Sequence, residues 1–231
     1  MRLFRWLLWY PLLIGLIALV LVQFWFVVHV WYWVDHNPEI TAFMHSRLER
    51  MREKDPRATI RHQWVPYERI SMHLKRAIIA AEDARFLEHE GFDWQAMQKA
   101  YEKNVKKGRV VAGGSTISQQ LAKNLFLSGE RAWWRKAEEA LITFMIETIM
   151  SKRRILEIYL NVIEWGDGVF GAEAAARYHF GVSAAMLGPE QAARLTAMVP
   201  SPRRYGPGSD TAYLQRRTEV IRARMSAAAV P

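Results

Sequence analysis

Residues 113–124 combine a pair of glycines with a predicted helix that carries hydroxyl, amide and amine side chains. At helical periodicity one face of this segment is polar while another is apolar. The polar side chains on that face are Thr116, Gln120, Lys123 and Asn124. Free N–H groups at a helix start can bind an anion, so the segment is suited to hold a phosphorylated substrate. An amphipathic helix capped by Ser115 or Thr116 explains the same residues equally well.

A second segment, residues 80–93, is rich in carboxylates. At helical spacing, Glu82, Arg85, Phe86 and His89 share one face of this segment. Apolar neighbours such as Ile78 and Ile79 would desolvate a carboxylate of this segment, which would raise its pKa and make it a usable general base. The alternative is a solvated helix end that His89 and Gly91 cap.

Three charged side chains, Arg131, Arg135 and Glu139, then recur at intervals of four. A surface ion-pair ladder is the commoner explanation for such spacing and contributes little stability. Arginine is also the side chain best suited to grip phosphate oxygens with two hydrogen bonds. Both interpretations remain open at this point.

The elements that must position these groups are predicted to be helices almost throughout. Apolar residues recur at helical spacing over 74–86, 94–106, 116–127, 134–150, 154–162, 172–179, 189–198 and 211–225. Glycine and proline punctuate the pattern, and no apolar alternation is long enough for a core sheet. In the segment from 152 to 161, Ile155, Leu156 and Tyr159 are predicted to lie in the core. We therefore predict a mainly α domain over 67–231.

Residues 6–34 contain no Asp, Glu, Lys or Arg. At about 1.5 Å per residue this run exceeds the roughly 30 Å hydrocarbon core of a bilayer, and aromatic residues crowd both of its ends. It is too long for a signal peptide and no Ala-x-Ala site follows, so we predict an uncleaved anchor within residues 1–35. Basic residues flank both ends and do not orient it. Residues 36–66 are predicted to be a juxtamembrane connector with one short helix over 41–54.

The chain has a formal net charge of +9 and no cysteine. It can form neither a disulfide nor a cysteine-ligated metal site. Its basic surface suits an anionic partner such as lipid headgroups, a pyrophosphate or nucleic acid. The membrane span and the acids between the cations argue against nucleic acid.

Four blocks of these residues together resemble the peptidoglycan glycosyltransferase family, which polymerises lipid II, over residues 65–205. The blocks are Glu82-Asp83-x-x-Phe86-x-x-His89-x-Gly91, Gly113-Gly114-Ser115-Thr116-Ile117-x-Gln119-Gln120, Arg135-Lys136-x-x-Glu139 and Lys152-x-x-Ile155-Leu156-Glu157-x-Tyr159-Leu160-Asn161. The resemblance implies a lysozyme-like, mainly α fold with a small mobile lobe between the first two blocks. It also implies that Glu82 is the catalytic base and Glu139 the second catalytic carboxylate. The residues implied to bind the pyrophosphate and adjoining sugar are Ser115, Gln119, Gln120, Lys123, Asn124, Arg131 and Arg135.

The resemblance further implies inverting transfer that forms β-1,4 glycan and releases polyprenyl pyrophosphate. No cofactor is required, although Mg2+ or Mn2+ could assist the pyrophosphate. The partners implied are lipid II, the growing glycan and the bilayer, with other division or cell wall synthesis proteins as candidates and no nucleic acid. The amino terminus would lie in the cytoplasm and the catalytic domain in the periplasm, outside the bacterial inner membrane. The sequence contains no Ser-x-x-Lys motif, which predicts polymerisation without transpeptidation.

Two other functions are compatible with the residues alone. A lysozyme-type enzyme that cleaves glycan would also use paired carboxylates on a helical scaffold, but cleavage leaves the row of cations unexplained. A noncatalytic membrane scaffold could bind anionic lipid or septal proteins through the basic domain. Replacing Glu82 by Gln would leave such a scaffold unaffected.

Overall fold

The computed structural model describes residues 2–109, 113–127 and 133–231. The prediction of a mainly α chain is confirmed. The helices of the described residues are α1 Arg2–Tyr32, α2 Ala42–Arg52, α3 Met72–Glu82, α4 Trp94–Lys107, α5 Ile117–Phe126, α6 Trp133–Ile149, α7 Lys152–Val162, α8 Ala172–Phe180, α9 Pro189–Met198 and α10 Ala212–Met225. Short 3-10 turns lie at Tyr67–Arg69, Ala184–Met186 and Pro202–Arg204.

Side-chain caps fix where many of these helices begin. A hydroxyl or carboxylate accepts a hydrogen bond from a backbone N–H of the first turn at Thr41, Ser71, Asp93, Thr116, Ser151 and Thr211. Each cap satisfies one of the N–H groups that has no partner inside the helix.

The core of the domain lies between two groups of helices. In one group α3, α9 and α10 pack together, and in the other α5 packs on α6 and α7. The largest fully buried side chains are Trp165, Tyr159 and Phe86. This packing brings the end of α3 beside α5 and α7.

A three-stranded sheet, too short to predict from alternation, contributes buried side chains to this core. Its strands are β1 Arg61–His62, β2 Glu164–Gly166 and β3 Val169–Phe170 in the order β1-β3-β2. β1 is parallel to β3, and β2 is antiparallel to β3 with an irregularity between Glu164 and Gly166. Gly168 makes the β2–β3 turn at a φ of +68°, a conformation that favours glycine.

The connector is packed into the domain. Met44 of α2 is fully buried, α2 lies against α5, and β1 completes the sheet. Asn161 of α7 accepts a hydrogen bond from the N–H of Val65 and donates one to its carbonyl, both at 3.0 Å. Residues 36–66 therefore do more than separate the anchor from the domain.

The anchor segment is a helix that could cross a membrane by length and composition, with residues Trp9–Tyr32 at a mean hydropathy of 2.5. Its far end contacts the domain, where Phe26 meets Phe126 of α5 edge to face at 5.0 Å between ring centroids. Val30 is fully buried there. The anchor and the domain thus share a packed junction.

Candidate active site

Glu82 is the last residue of α3, and its side chain is 14% exposed. Gln120 of α5 donates a hydrogen bond from Nε2 to Glu82 Oε2 at 3.1 Å. A nitrogen of the Arg217 guanidinium lies 3.5 Å from Oε1. Burial raises the pKa of Glu82, the hydrogen bond from Gln120 and the charge of Arg217 oppose that rise, and the nearby charge of Asp83 adds to it. Glu82 is thus a desolvated carboxylate held by two donors.

The amide of Gln120 is itself oriented by Tyr159 of α7, whose hydroxyl donates to Gln120 Oε1 at 2.8 Å. Tyr159 is fully buried. Burial raises its pKa well above 10, with smaller contributions from the charges of Glu82 and Asp83. The phenol therefore stays protonated and remains a donor. Tyr159, Gln120 and Glu82 form one directed chain of hydrogen bonds.

Asp83, next to Glu82 in the chain, makes structural hydrogen bonds. Its Oδ2 accepts the N–H of Ile117, the first residue of α5, at 3.0 Å, and Oδ1 lies 2.9 Å from His89 Nε2. The chain leaves helical conformation at Asp83 to make these contacts. The predicted continuation of the helix to Phe86 is therefore wrong, and so is the helical face predicted to carry Glu82, Arg85, Phe86 and His89.

The start of α5 is fixed by a capping box. The hydroxyl of Thr116 accepts the N–H of Gln119, and Gln119 Oε1 accepts the N–H of Thr116 at 3.0 Å. Gln119 is 2% exposed. Of the two implied substrate ligands in this turn, Gln119 is occupied in holding the helix start, whereas Ser115 is exposed.

Two cavities open on the two partners of the Glu82–Gln120 hydrogen bond. One, which we call the lobe-side cavity, measures about 210 Å³. Its polar walls include Glu82, Asp83, Arg85, Asp93, Lys99 and Ser115. The other, the sheet-side cavity, measures about 190 Å³. Its polar walls include Gln120, Lys123, Asn124, Glu164 and Arg203. Three residues of the predicted polar face of α5, Gln120, Lys123 and Asn124, line the sheet-side cavity, whereas Thr116 does not.

Of the implied charged residues, Arg135 and Glu139 lie on α6, and Arg131 lies outside the described residues. Glu139 is 8% exposed and pairs with Lys136, not with Arg135. Arg135 lies over the Trp134 ring at 5.6 Å, and its buried Nε has no hydrogen-bond partner among the described residues. The described part of the row therefore forms no Arg135–Glu139 ladder, and Arg135 keeps donors available.

The fourth block secures the loop after Glu82. Lys152 Nζ donates to the carbonyl of His89 at 2.6 Å and to Glu147 Oε1 at 2.8 Å. Ser118 of α5 donates to the same oxygen of Glu147. These contacts hold α5, α6, α7 and the loop in one arrangement around the two cavities.

Sequence reasoning missed the polar roles of Tyr159 and Arg217. Tyr159 was assigned to the core, where it does lie, and a hydroxyl in an otherwise apolar helix face was the available signal, because a buried phenol needs a partner. Arg217 stands in a run of charged residues on α10, and nothing in its local sequence separates it from exposed Arg216.

Comparison with known proteins finds one matching family model and relatives that align over nearly the whole chain. A family model described as Transglycosylase matches residues 49–226. The chain is 60% identical over 227 residues to the biosynthetic peptidoglycan transglycosylase of Nitrosospira multiformis, covering 98% of each chain. It is 57% identical over 231 residues to the protein of that name from Janthinobacterium sp., covering 100% of each. The protein of that name from Dechloromonas aromatica is 63% identical over 223 residues, covering 95% of this chain and 96% of the relative.

Proposed function

Because this chain belongs to the transglycosylase family of peptidoglycan synthesis, we propose that it polymerises lipid II into linear β-1,4 glycan and releases polyprenyl pyrophosphate. The observation that carries the proposal is the position of Glu82, a desolvated carboxylate on the wall of one cavity and hydrogen-bonded to Gln120 on the wall of another. A reaction between two bound sugars needs a base at the boundary of two such sites.

The acceptor is a lipid II molecule in the lobe-side cavity. Its GlcNAc 4-hydroxyl attacks C1 of the donor MurNAc, and Glu82 takes the hydroxyl proton as the new bond forms. The raised pKa of Glu82 strengthens it as a base, while Gln120 and Arg217 favour its ionised form. Attack opposite the leaving group inverts an α-linked donor to a β-1,4 product.

The donor lies in the sheet-side cavity, where Lys123 and Asn124 are available to its pyrophosphate and adjoining sugar. As the C1–oxygen bond breaks, negative charge collects on the departing pyrophosphate, and cations at fixed positions stabilise it. Arg135 and Arg131 are assigned to the same task from the family resemblance. Glu139, which the resemblance implies to be the second catalytic carboxylate, pairs with Lys136 of the same helix.

A divalent cation would take its ligands from the substrate. Within the described ranges no three His, Asp or Glu side chains converge in a way that would hold a metal ion. Mg2+ commonly binds phosphate oxygens and water with few protein ligands. Mg2+ or Mn2+ would therefore enter with the pyrophosphate.

The membrane anchor would hold the enzyme in the same bilayer as its lipid-linked substrates. Holding enzyme and substrates in one bilayer raises their effective concentration. The amino terminus would lie in the cytoplasm and the catalytic domain in the periplasm, where cell wall is assembled. We propose polymerisation without transpeptidation, and the absence of a Ser-x-x-Lys motif from this sequence supports that proposal.

The proposal is tested with purified protein in detergent and labelled lipid II, with products resolved by glycan length. We expect polymer from the wild type, none from Glu82→Gln and undiminished polymer from Glu90→Gln, an exposed carboxylate of the same segment. If the Glu82 variant makes as much polymer as the wild type, another residue must be the base. Shortening of added glycan without synthesis would favour the cleaving enzyme, and inactivity of the wild type on both substrates would favour the scaffold.

A further inference from the structure

Glu164 of β2 is a buried carboxylate on the wall of the sheet-side cavity. It is neither the proposed base nor one of the residues proposed to bind the pyrophosphate. The residue is 5% exposed. A buried carboxylate is stable only where its oxygens are paired or hydrogen-bonded. The partners of its two oxygens therefore show which of them is available to a ligand.

Only one oxygen of Glu164 is fully engaged. Oε1 accepts hydrogen bonds from Arg47 Nε and from the N–H of Gly168, both at 3.2 Å. Oε2 lies 3.3 Å from Arg203 Nε, but it receives no hydrogen bond of acceptable geometry from the described residues. Arg47 and Gly168 thus fix the carboxylate through Oε1, while Oε2 faces the charge of Arg203 and has no hydrogen-bond donor in the part of the chain that the structure describes.

The surroundings of Oε2 favour a sugar over a second phosphate. A carboxylate repels an anion, whereas sugar hydroxyl and acetamido N–H groups are donors that need acceptors. Asn124 adds an amide, and Phe43 of α2 adds an aromatic ring to the same wall. That ring is held edge to face by Phe170 at 6.2 Å between centroids. Lys123 in the same cavity provides for the charged end of the ligand.

We propose that Glu164 is a sugar-specificity residue: its Oε2 accepts a hydrogen bond from a hydroxyl or acetamido N–H of the sugar next to the donor pyrophosphate. Arg47 and Arg203 are positioning residues that act through Glu164. This inference rests on the proposed function, because it takes the sheet-side cavity as the donor site.

One consequence concerns the connector. Phe43 and Arg47 both belong to α2 and precede residue 49, where the family match begins. The juxtamembrane segment thus supplies part of the wall of the donor cavity, through Phe43, and one of the residues that hold Glu164, through Arg47. The segment after the anchor is part of the binding site.

The test compares binding of two probes by the full-length protein in detergent. One probe is a short-chain polyprenyl diphosphate that carries the GlcNAc-MurNAc disaccharide, and the other is the same polyprenyl diphosphate without sugar. In Glu164→Gln we expect the Kd of the sugar-bearing probe to rise about tenfold, as losing one hydrogen bond from a charged group would cause. The Kd of the sugar-free probe should not change.

Asp167→Asn is the matched control, because Asp167 also pairs with Arg47 but is exposed and does not line the cavity. It should bind both probes as the wild type does. If Glu164 only holds Arg47 and Arg203 in place, Glu164→Gln will weaken both probes equally or neither, and the inference fails. Should that variant not fold, Glu164→Asp keeps the charge, withdraws Oε2 and must show the same selective loss. Wild-type polymerisation, measured separately, tests the proposed function alone.

Discussion

Arg217 of α10 lies 3.5 Å from the carboxylate of Glu82 at the end of α3, although 135 positions separate the two residues in the chain. Burial of Glu82 is the largest influence on its pKa and raises it, while Gln120 and Arg217 lower it. A base must be ionised before it can take a proton. The contact with Arg217 therefore favours the ionised form of a largely desolvated carboxylate, which is the form that can accept a proton.

Arg217→Gln removes the positive charge and should raise the pKa of Glu82 further. The acid limb of the kcat/KM profile reports the ionisation of the base in the free enzyme, so it should move to higher pH. Activity should fall several-fold on the acid side and recover as the pH rises. Arg216→Gln, an exposed arginine of the same helix, is the control and should leave the profile in place. An acid limb unmoved in the Arg217 variant would show that this contact does not tune the base.

Tyr159→Phe removes the hydroxyl that orients Gln120. Gln120 Oε1 then loses its donor, and because Gln120 is only partly buried the cost in the free energy of unfolding is that of one ordinary hydrogen bond, about 0.5–1.5 kcal/mol. Its amide can also rotate and present oxygen instead of nitrogen to Glu82. We expect a loss of stability in urea denaturation together with a lower kcat. Tyr101→Phe, exposed on α4, should change neither. Full activity in Tyr159→Phe would separate the hydrogen-bond chain from catalysis.

The adjacent acids Glu82 and Asp83 should respond to amide substitution in opposite ways. Glu82→Gln should abolish polymerisation and leave stability nearly unchanged, because a buried carboxylate is replaced by a group that costs less to desolvate. Asp83→Asn weakens the contacts with Ile117 and His89 and should lower the free energy of unfolding by about 1–3 kcal/mol. Denaturation curves of the two variants check this. Comparable destabilisation by both would contradict the division of tasks.

The lobe that contains α4 should exchange its amide hydrogens faster than α5. No residue of α4 is fully buried in this structure, whereas α5 buries most of its apolar face. Few buried contacts permit local opening at low free energy. Hydrogen exchange should show weak protection in α4 that rises when a lipid pyrophosphate analogue binds, with α5 strongly protected throughout. Strong and equal protection of both helices in the free enzyme would show that the lobe is not mobile.

Local sequence predicted the parts of the site whose structure is local. Helical spacing predicted an apolar face for α5, and Ile117, Leu121 and Leu125 of that face lie in the core. Thr116 was one of two predicted caps for the helix. The polar face of α5 was predicted in the same way. These features depend on residues within two helical turns, so periodicity and capping rules reach them.

Long-range contacts explain what was missed. Helical periodicity alone gave no reason for α3 to stop at Glu82, because the stop depends on Asp83 binding the N–H of Ile117, 34 positions later. The role of Arg217 depends on α10 packing against α3. Both outcomes require tertiary structure.

Arg154 of α7 joins the catalytic domain to the end of the anchor. Its guanidinium donates to the carbonyls of Trp33 at 2.9 Å and His36 at 2.7 Å, and to Asn37 Oδ1 at 2.9 Å. A cation at the carbonyl end of a helix satisfies groups that lack partners there. Arg154 thereby attaches the domain to the C-terminal end of α1.

Arg154→Ala should loosen this junction and leave the domain folded. Amides of residues 33–37 should lose protection from hydrogen exchange in the full-length protein in lipid nanodiscs, while those of α5 and α7 keep theirs. Arg153→Ala, the exposed neighbouring arginine, is the control and should leave residues 33–37 protected. If the junction aligns both lipid-linked substrates with Glu82, Arg154→Ala should also shorten the glycan products. Unchanged exchange at residues 33–37 would show that aromatic packing around Phe126 holds the anchor without Arg154.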